Sequence, residues 1–148
     1  MSHIAVIQTP TEAYKLVKEI NGKYFEIEGV KTLSEALALH MGAFRKLYEA
    51  PSNKEVKGKL VAPVAADSEI WGAGVTYQRS RDARKEESGI PDVYQLVYEA
   101  DRPELFFKAA ARRTVGTDGE VGIREDAKTS VPEPEVAIVI NRFSELIG

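Results

Sequence analysis

The sequence contains no cysteine and only two histidines among its 148 residues. Disulfides and thiolate metal sites are therefore excluded, and a chain without disulfides is typical of the cytoplasm. Any metal site has to be built mainly from carboxylates. Carboxylate ligands favour a hard ion such as Mg²⁺, Mn²⁺ or Ca²⁺.

The sequence also lacks an excess of basic residues and any long apolar run. Acidic residues outnumber basic ones by 23 to 20. Nucleic-acid-binding proteins normally present a basic surface, so we expect no nucleic-acid partner. No stretch of about eighteen apolar residues is present, and residues 1–9 lack the regions of a signal peptide. We therefore expect no membrane association and a cytoplasmic location.

Short elements of mixed type predict an α+β fold with two domains. Residues 1–62 would form a small α/β N-terminal domain, and residues 63–148 would form a β-rich domain. In the first domain we predict strands at 4–7 and 23–27, a turn at 21–22, and helices at 11–20 and 32–48. In the second domain we predict strands at 70–75, 105–108 and 136–140, and a helix at 93–100. The last of these strands is apolar enough to be buried on both faces.

Glu133 and Glu135 lie in P-E-P-E, directly before the apolar run 136–140. In a strand, alternate side chains share a face, so both carboxylates would point the same way. Two adjacent carboxylates repel each other unless a proton or a cation lies between them. The pair therefore predicts a divalent-metal site. The alternative is an edge strand with two solvated glutamates.

Glu104 and Lys108 bracket the predicted strand 105–108. With strict alternation, Phe106 and Lys108 share one face, and Leu105 and Phe107 share the other. Lys108 could bind an anionic substrate in a pocket, or it could be an edge charge that discourages sheet aggregation. Glu104 could serve as a general acid or base if it is partly desolvated.

Tyr77, Ser80 and Arg81 follow the glycine-rich stretch 70–75. Glycines let the backbone approach a ligand closely, and an arginine can bind a carboxylate in bidentate fashion. The alternative is that the mixed-charge run 79–87 is a solvated helix face. Together with Phe107, these three residues are the predicted substrate-binding set.

In chain order, P-E-L-F-F-K at 103–108, a D-G turn at 118–119 and P-E-P-E-V-A-I-V-I at 132–140 resemble the fumarylacetoacetate hydrolase family. That family carries a P-x-x-F-x-K strand and then an E-x-E strand, whose glutamates are two ligands of Mg²⁺ or Mn²⁺. The resemblance covers 63–148. It implies that this region is the first, incomplete part of a mixed β-sandwich roll.

The stretches E-I-W-G-A-G-V-T-Y at 69–77 and V-Y-E-A-D-R-P-E at 97–104 resemble more closely the 2-keto-3-deoxy-D-arabinonate dehydratase-like sugar-acid dehydratases. This resemblance implies that Glu133 and Glu135 bind Mg²⁺ or Mn²⁺, that Glu104 is the acid/base residue, and that Lys108 lines the pocket as a second catalytic residue. Family members are longer than this chain. We therefore expect an N-terminal half, with an aspartate beyond Gly148 as the third metal ligand.

One departure from the family bears on the reaction. Family members that hydrolyse carbon–carbon bonds carry N-Y-x-x-H, whose histidine activates water. Here the stretch is T-Y-Q-R-S at 76–80, so Ser80 stands where that histidine would be. The resemblance therefore implies a Mg²⁺-dependent dehydratase, a lyase acting on a 2-keto-3-deoxy sugar acid. A C–C hydrolase and a fragment without its own activity are the alternatives, and we expect a homo-oligomer with a small 2-keto acid as substrate.

Overall fold

The structure is a computed structural model and describes residues 2–64, 67–79, 81–82 and 91–148. The chain divides into two compact units. The first unit comprises Met1–Asp67 and Thr114–Gly148, and the second comprises Ser68–Arg113. Helices and strands are mixed, so the α+β prediction is confirmed. This division into compact units does not test the predicted domain boundary between residues 62 and 63, which stays a prediction.

The first unit is built on a five-stranded sheet. Its strands are β1 (Ser2–Gln8), β2 (Lys15–Ile20), β3 (Lys23–Glu26), β4 (Glu55–Val56) and β5 (Lys59–Leu60). Their order is β4-β3-β2-β1-β5, with antiparallel pairing throughout. The predicted strands at 4–7 and 23–27 are confirmed by β1 and β3. Asn21 and Gly22 have φ values of 52° and 79°, as expected for the tight hairpin turn between β2 and β3.

The helix predicted at 11–20 is wrong, because residues 15–20 form β2 in the middle of the sheet. Leu16 is 2% exposed and Val17 is fully buried. They lie in two different core clusters, one on each side of the strand. A strand buried on both faces carries consecutive apolar residues, and the spacing of Tyr14, Val17 and Ile20 imitates a helical stripe.

Two short helices replace the single helix predicted at 32–48. They are α1 (Leu33–Leu37), capped by the Thr32 hydroxyl, and α2 (Met41–Glu49). Their apolar side chains pack against one core cluster of the sheet, whose buried members are Val6, Leu16, Ile27, Val30 and Ala36. Among the described residues, no helix is long and apolar enough to cross a bilayer.

The second unit contains two antiparallel strands and, between them in the chain, a helix. Its elements are β6 (Glu69–Ala73), α3 (Pro91–Glu99) and β7 (Leu105–Ala110), which runs into a 3₁₀ turn at Ala111–Arg113. β6 and β7 pair in antiparallel fashion. The two strands and the helix predicted for this region are confirmed.

The strand predicted at 136–140 is wrong. Residues 130–139 have no regular secondary structure, and Ile140 makes only an isolated bridge to Leu146. Val136 is 78% exposed and Ile138 is 64% exposed. A buried strand needs a neighbouring strand to satisfy its backbone, and this segment belongs to neither sheet of the described chain.

Candidate functional site

Gly72 of β6 makes room for a side chain of β7. In the pairing of β6 with β7, Gly72 lies opposite Phe106. A Cβ atom added to Gly72 would lie 2.5 Å from Cζ of the Phe106 ring. The aromatic ring therefore lies directly across the glycine, and a side chain at position 72 would displace it.

Gly74, just beyond β6, lies beside Glu104, just before β7. Its backbone N–H donates to the carbonyl oxygen of Glu104 at 2.8 Å. A Cβ atom added to Gly74 would lie 3.5 Å from both Oε2 of Glu104 and Cγ1 of Val97 in α3. The predicted acid/base carboxylate therefore lies beside the glycine-rich strand. Glu104 is exposed.

Lys108 lies at a shift in the register between β6 and β7. Ile70 pairs with Ala109, whereas Trp71 pairs with Phe107, so the register passes over Lys108. Such a bulge redirects side chains and breaks the alternation of faces. The prediction that Lys108 shares a face with Phe106 therefore cannot be made from strand periodicity. Lys108 is exposed.

Phe107 packs against Trp71 of the neighbouring strand. Their rings meet edge to face, with centroids 6.2 Å apart. Phe106 lies over Gly72. Phe106 and Phe107 therefore occupy opposite faces of the two-stranded sheet, as strand alternation predicted. The face of the sheet that carries Phe107 and Trp71 is thus the one opposite to Phe106.

Arg81 is held by two groups that sequence reasoning did not identify. Oδ1 of Asp82 accepts a hydrogen bond from Nε of Arg81 at 2.8 Å and forms an ion pair with Nη2 at 2.7 Å. The Arg81 guanidinium also stacks on Tyr98 of α3, with Cζ 4.8 Å from the ring centroid. Position 82, adjacent to Arg81, was a visible signal, but no sequence pattern links Arg81 to Tyr98.

The remaining predicted substrate-binding residues are less defined. The backbone carbonyl of Tyr77 accepts a hydrogen bond from the N–H of Arg81 at 3.0 Å. Ser80 lies outside the described residues. The second unit thus brings together Tyr77 and Arg81 in one helical turn, and it places Glu104 beside Gly74.

Glu133 and Glu135 belong to the first unit and are exposed. The strand that was to place both carboxylates on one face is not formed. Among the described residues, no group of three or more histidines and acidic residues is arranged to hold a metal ion. Carboxylate oxygens are nevertheless the donors that Mg²⁺ and Mn²⁺ prefer, so the donor chemistry of this pair fits such an ion. The metal-ligand role of Glu133 and Glu135 stays a prediction.

The first unit also has an open concave surface of about 440 Å³, beside the ends of β2 and β3. Its charged lining is occupied by ion pairs. Lys15 donates to Glu12 at 2.9 Å and to Glu26 at 3.1 Å, and the hydrogen bond to Glu12 is the main cause of its raised pKa. Lys54, 2.5 Å from Glu26, is the main cause of the lowered pKa of that carboxyl. This surface contains none of the predicted site residues.

Two known proteins with similar sequences are both named as dehydratases. The chain is 56% identical over 86 residues to a probable 2-keto-3-deoxyxylonate dehydratase of Haloferax volcanii, a match that spans 58% of this chain and 29% of that protein. It is 28% identical over 157 aligned residues to 2-dehydro-3-deoxy-D-arabinonate dehydratase of Saccharolobus solfataricus, spanning 90% of this chain and 53% of that protein. The chain is similar in sequence to 2-keto-3-deoxy sugar-acid dehydratases. The predicted resemblance to these enzymes is confirmed.

A solved structure with a similar fold is also named as a dehydratase. A solved structure of 2-keto-3-deoxyarabinonate dehydratase, in a hexagonal crystal form, superposes on the whole chain with a TM-score of 0.70 and 24% sequence identity. The superposed region is 54% of that protein. The chain aligns along most of its length with the Saccharolobus solfataricus dehydratase and with this solved structure. It spans about half the length of each. No family model matches the chain.

Proposed function

We propose that the protein carrying this sequence is a dehydratase of a 2-keto-3-deoxy sugar acid. The observation that carries this proposal is the 56% identity over 86 residues to a probable 2-keto-3-deoxyxylonate dehydratase. Identity of that degree over a continuous segment supports a shared substrate class. Because the match spans 29% of that relative, the activity is proposed for the whole protein, and this chain alone is proposed to be an incomplete enzyme.

The reaction requires removal of one proton and one hydroxyl group from adjacent carbons. In a 2-keto-3-deoxypentonate, a base takes a C3 proton, and the C4 hydroxyl leaves as water after it is protonated. Tautomerisation of the unsaturated acid then gives a 2,5-dioxo acid, with one water lost overall. We assign the proton transfers to Glu104, since one carboxyl group can act as a base and then as an acid.

Arg81 and Lys108 are proposed to bind the anionic substrate. The guanidinium of Arg81 already pairs with the carboxylate of Asp82, through a hydrogen bond from Nε and an ion pair with Nη2. That contact supports its ability to recognise the carboxylate of a 2-keto acid. The bulge takes Lys108 out of the regular strand pairing, and such bulges are common beside active sites.

Glu133 and Glu135 are proposed to hold a divalent ion, Mg²⁺ or Mn²⁺. Magnesium is commonly bound through one or two carboxylates plus water. The chemistry that such an ion supplies is polarisation of the 2-keto oxygen, which acidifies the C3 hydrogens. We further propose that a third carboxylate ligand completes the metal site. The whole protein is proposed to form a mixed β-sandwich roll, to be located in the cytoplasm and to assemble as a homo-oligomer.

Turnover by the whole protein tests the assignment. The protein is incubated with a 2-keto-3-deoxypentonate and Mg²⁺, and formation of the 2,5-dioxo acid is followed. We expect dehydration of this substrate and no hydrolysis of an acylpyruvate. Acylpyruvate cleavage without dehydration would instead establish the C–C hydrolase alternative. Calorimetric titration of the 148-residue chain with Mg²⁺ tests the proposal that it is an incomplete enzyme, for which we expect weak or absent binding.

A further inference from the structure

Tyr98 restrains the guanidinium of Arg81 from one side. The distance of 4.8 Å between Cζ and the ring centroid lies within the range of cation–π attraction. The Arg81 side chain is only 17% exposed. Cation–π attraction strengthens as the cation loses water, so this contact is stronger than one on an open surface. The tyrosine ring therefore restricts the plane in which the guanidinium lies.

Asp82 contacts the side chain of Arg81, and Tyr77 contacts its backbone. Oδ1 of Asp82 engages Nε and Nη2, and the carbonyl of Tyr77 holds the Arg81 backbone N–H. A guanidinium carries five N–H donors in a rigid fork. In the described part of the chain, Asp82 lies against Nε and Nη2, and the Nη1 donors are the groups with which Arg81 would bind a second carboxylate.

We propose that Tyr98 is a positioning residue that sets the affinity of Arg81 for the carboxylate of a 2-keto acid. The inference rests on the proposed function, in which Arg81 binds that carboxylate. A guanidinium that is already oriented loses less conformational freedom on binding. Without the ring, the charge remains but the guanidinium rotates more freely. Substrate binding then weakens, whereas the chemical step keeps its rate.

Substitutions at Tyr98 separate the ring from its hydroxyl group. Tyr98→Leu and Tyr98→Met remove the aromatic face while keeping an apolar side chain of similar bulk, and Tyr98→Phe keeps the face. Tyr94→Leu, one turn earlier on α3, removes a tyrosine from the same helix and serves as the matched control. Circular dichroism verifies that each variant is folded, and the methionine variant replaces the leucine variant if the latter is not.

The whole protein is assayed with a 2-keto-3-deoxypentonate and Mg²⁺, with 2-oxobutanoate as a competitive inhibitor and butanone as its analogue without a carboxylate. We expect Tyr98→Leu to raise KM and the inhibition constant of 2-oxobutanoate about fivefold, the effect of losing one exposed-to-partly-buried cation–π contact. The value of kcat and the weak effect of butanone should not change. Tyr98→Phe and Tyr94→Leu should behave like the wild type.

A folded Tyr98→Leu variant with wild-type KM and inhibition constant would overturn the inference. So would equal losses in the leucine and phenylalanine variants. If the wild type turns over no 2-keto-3-deoxypentonate, the proposed function fails, and calorimetric binding of 2-oxobutanoate then decides on Tyr98 by itself. Tighter binding to the wild type than to Tyr98→Leu supports the positioning role, and equal or absent binding in both contradicts it.

Discussion

The carboxylate of Glu145 accepts a hydrogen bond from the backbone N–H of Met41, 104 residues earlier in the chain, at 2.7 Å. Met41 is the first residue of α2, and His40 at the N-cap position makes no side-chain capping bond. A distant carboxylate therefore satisfies an N–H at the start of the helix and interacts favourably with its dipole. This contact ties residues 141–145 to the N-terminal sheet and helices of the first unit.

Asn141 organises the turn that presents Glu145, and Asn141→Ala should destabilise the chain by about 1–3 kcal/mol. Asn141 is 5% exposed. Its Nδ2 donates to the carbonyl of Leu39 and to Glu145, and its Oδ1 accepts the N–H groups of Phe143 and Glu145. Alanine removes these bonds and leaves buried groups unpaired. Urea unfolding of the 148-residue chain measures the loss.

Asn141→Asp provides a sharper comparison at the same position. Aspartate keeps the acceptor for the two backbone N–H groups but replaces the donor with an oxygen that faces the carboxylate of Glu145. We expect Asn141→Asp to be less stable than Asn141→Ala at neutral pH, because two carboxylates would then repel each other in a partly buried place. An aspartate variant as stable as the wild type would show that the amide donor is unimportant.

Glu145 should make the stability of the chain depend on pH. The hydrogen bond from Asn141, followed by that from the Met41 backbone, lowers the pKa of Glu145 below its ordinary value. The unfolded chain therefore binds more protons at Glu145, and its contribution to stability is complete above the ordinary glutamate pKa. This contribution is lost as the pH falls through the lowered folded pKa.

Glu145→Gln isolates this contribution. At neutral pH the glutamine variant should be less stable than the wild type, and the difference should shrink as the pH is lowered through the acid range. Chemical unfolding of both chains at a series of pH values measures that difference. Because Glu26 also has a lowered pKa, the wild-type curve alone is not diagnostic. A difference that stays constant with pH would contradict the assignment to Glu145.

Gly116 anchors the other end of the segment that returns to the first unit. A Cβ atom at Gly116 would lie 2.6 Å from the carbonyl carbon of Val61 and 2.7 Å from the nitrogen of Ala62. Backbone atoms cannot move aside as a side chain can, so Gly116→Ala should cost about 1–3 kcal/mol. At Gly122, apart from the glycine and its chain neighbours, no atom of the described residues lies within 4 Å of such a Cβ, so Gly122→Ala is the matched control. Unfolding experiments on both alanine variants should separate them, and equal stabilities would rule out the close approach at Gly116.

Local signals in the sequence were sufficient for about half of the elements. Asn21–Gly22 specifies its own turn, because both residues adopt positive φ values easily. The helix at 11–20 was mispredicted because the burial of Leu16 and Val17 depends on strands that lie on either side of β2. Periodicity within one segment does not encode such partners. The strand at 136–140 failed for the converse reason, since a strongly apolar run forms a strand only where a neighbouring strand pairs with it.

The candidate site shows the same limit. Residue types predicted candidate roles for Arg81, Glu104 and Lys108, which belong to one compact unit. Their surroundings depend on pairings that no local pattern contains. The contact of Arg81 with Tyr98 joins residues on two elements, and the bulge at Lys108 results from the register of two strands. Strict alternation cannot reveal a residue that the register passes over.

Gly72 and Gly74 should respond differently to alanine. At Gly72 the added Cβ would lie 2.5 Å from Cζ of Phe106, so this exposed ring has to shift and Gly72→Ala should cost about 1 kcal/mol. At Gly74 the nearest atoms are 3.5 Å away, an ordinary contact distance. Gly74→Ala should therefore be neutral or slightly stabilising, since alanine restricts the unfolded chain. Urea unfolding compares the two variants, and a Gly74→Ala loss as large as that of Gly72→Ala would contradict the packing described here.

Glu133 and Glu135 should control the metal requirement of the whole protein. Removing divalent ions with a chelator should abolish dehydration, and Mg²⁺ or Mn²⁺ should restore it, since the proposed chemistry requires a polarised 2-keto oxygen. Glu133→Gln and Glu135→Gln should each raise the Mg²⁺ concentration needed for half-maximal turnover, because an amide is a weaker ligand than a carboxylate for a hard cation. Glu120→Gln, at another exposed position of the same segment, is the matched control and should leave that concentration unchanged. Equal Mg²⁺ requirements in all three variants would exclude the P-E-P-E glutamates as metal ligands, and turnover that resists chelation would remove the metal from the proposal.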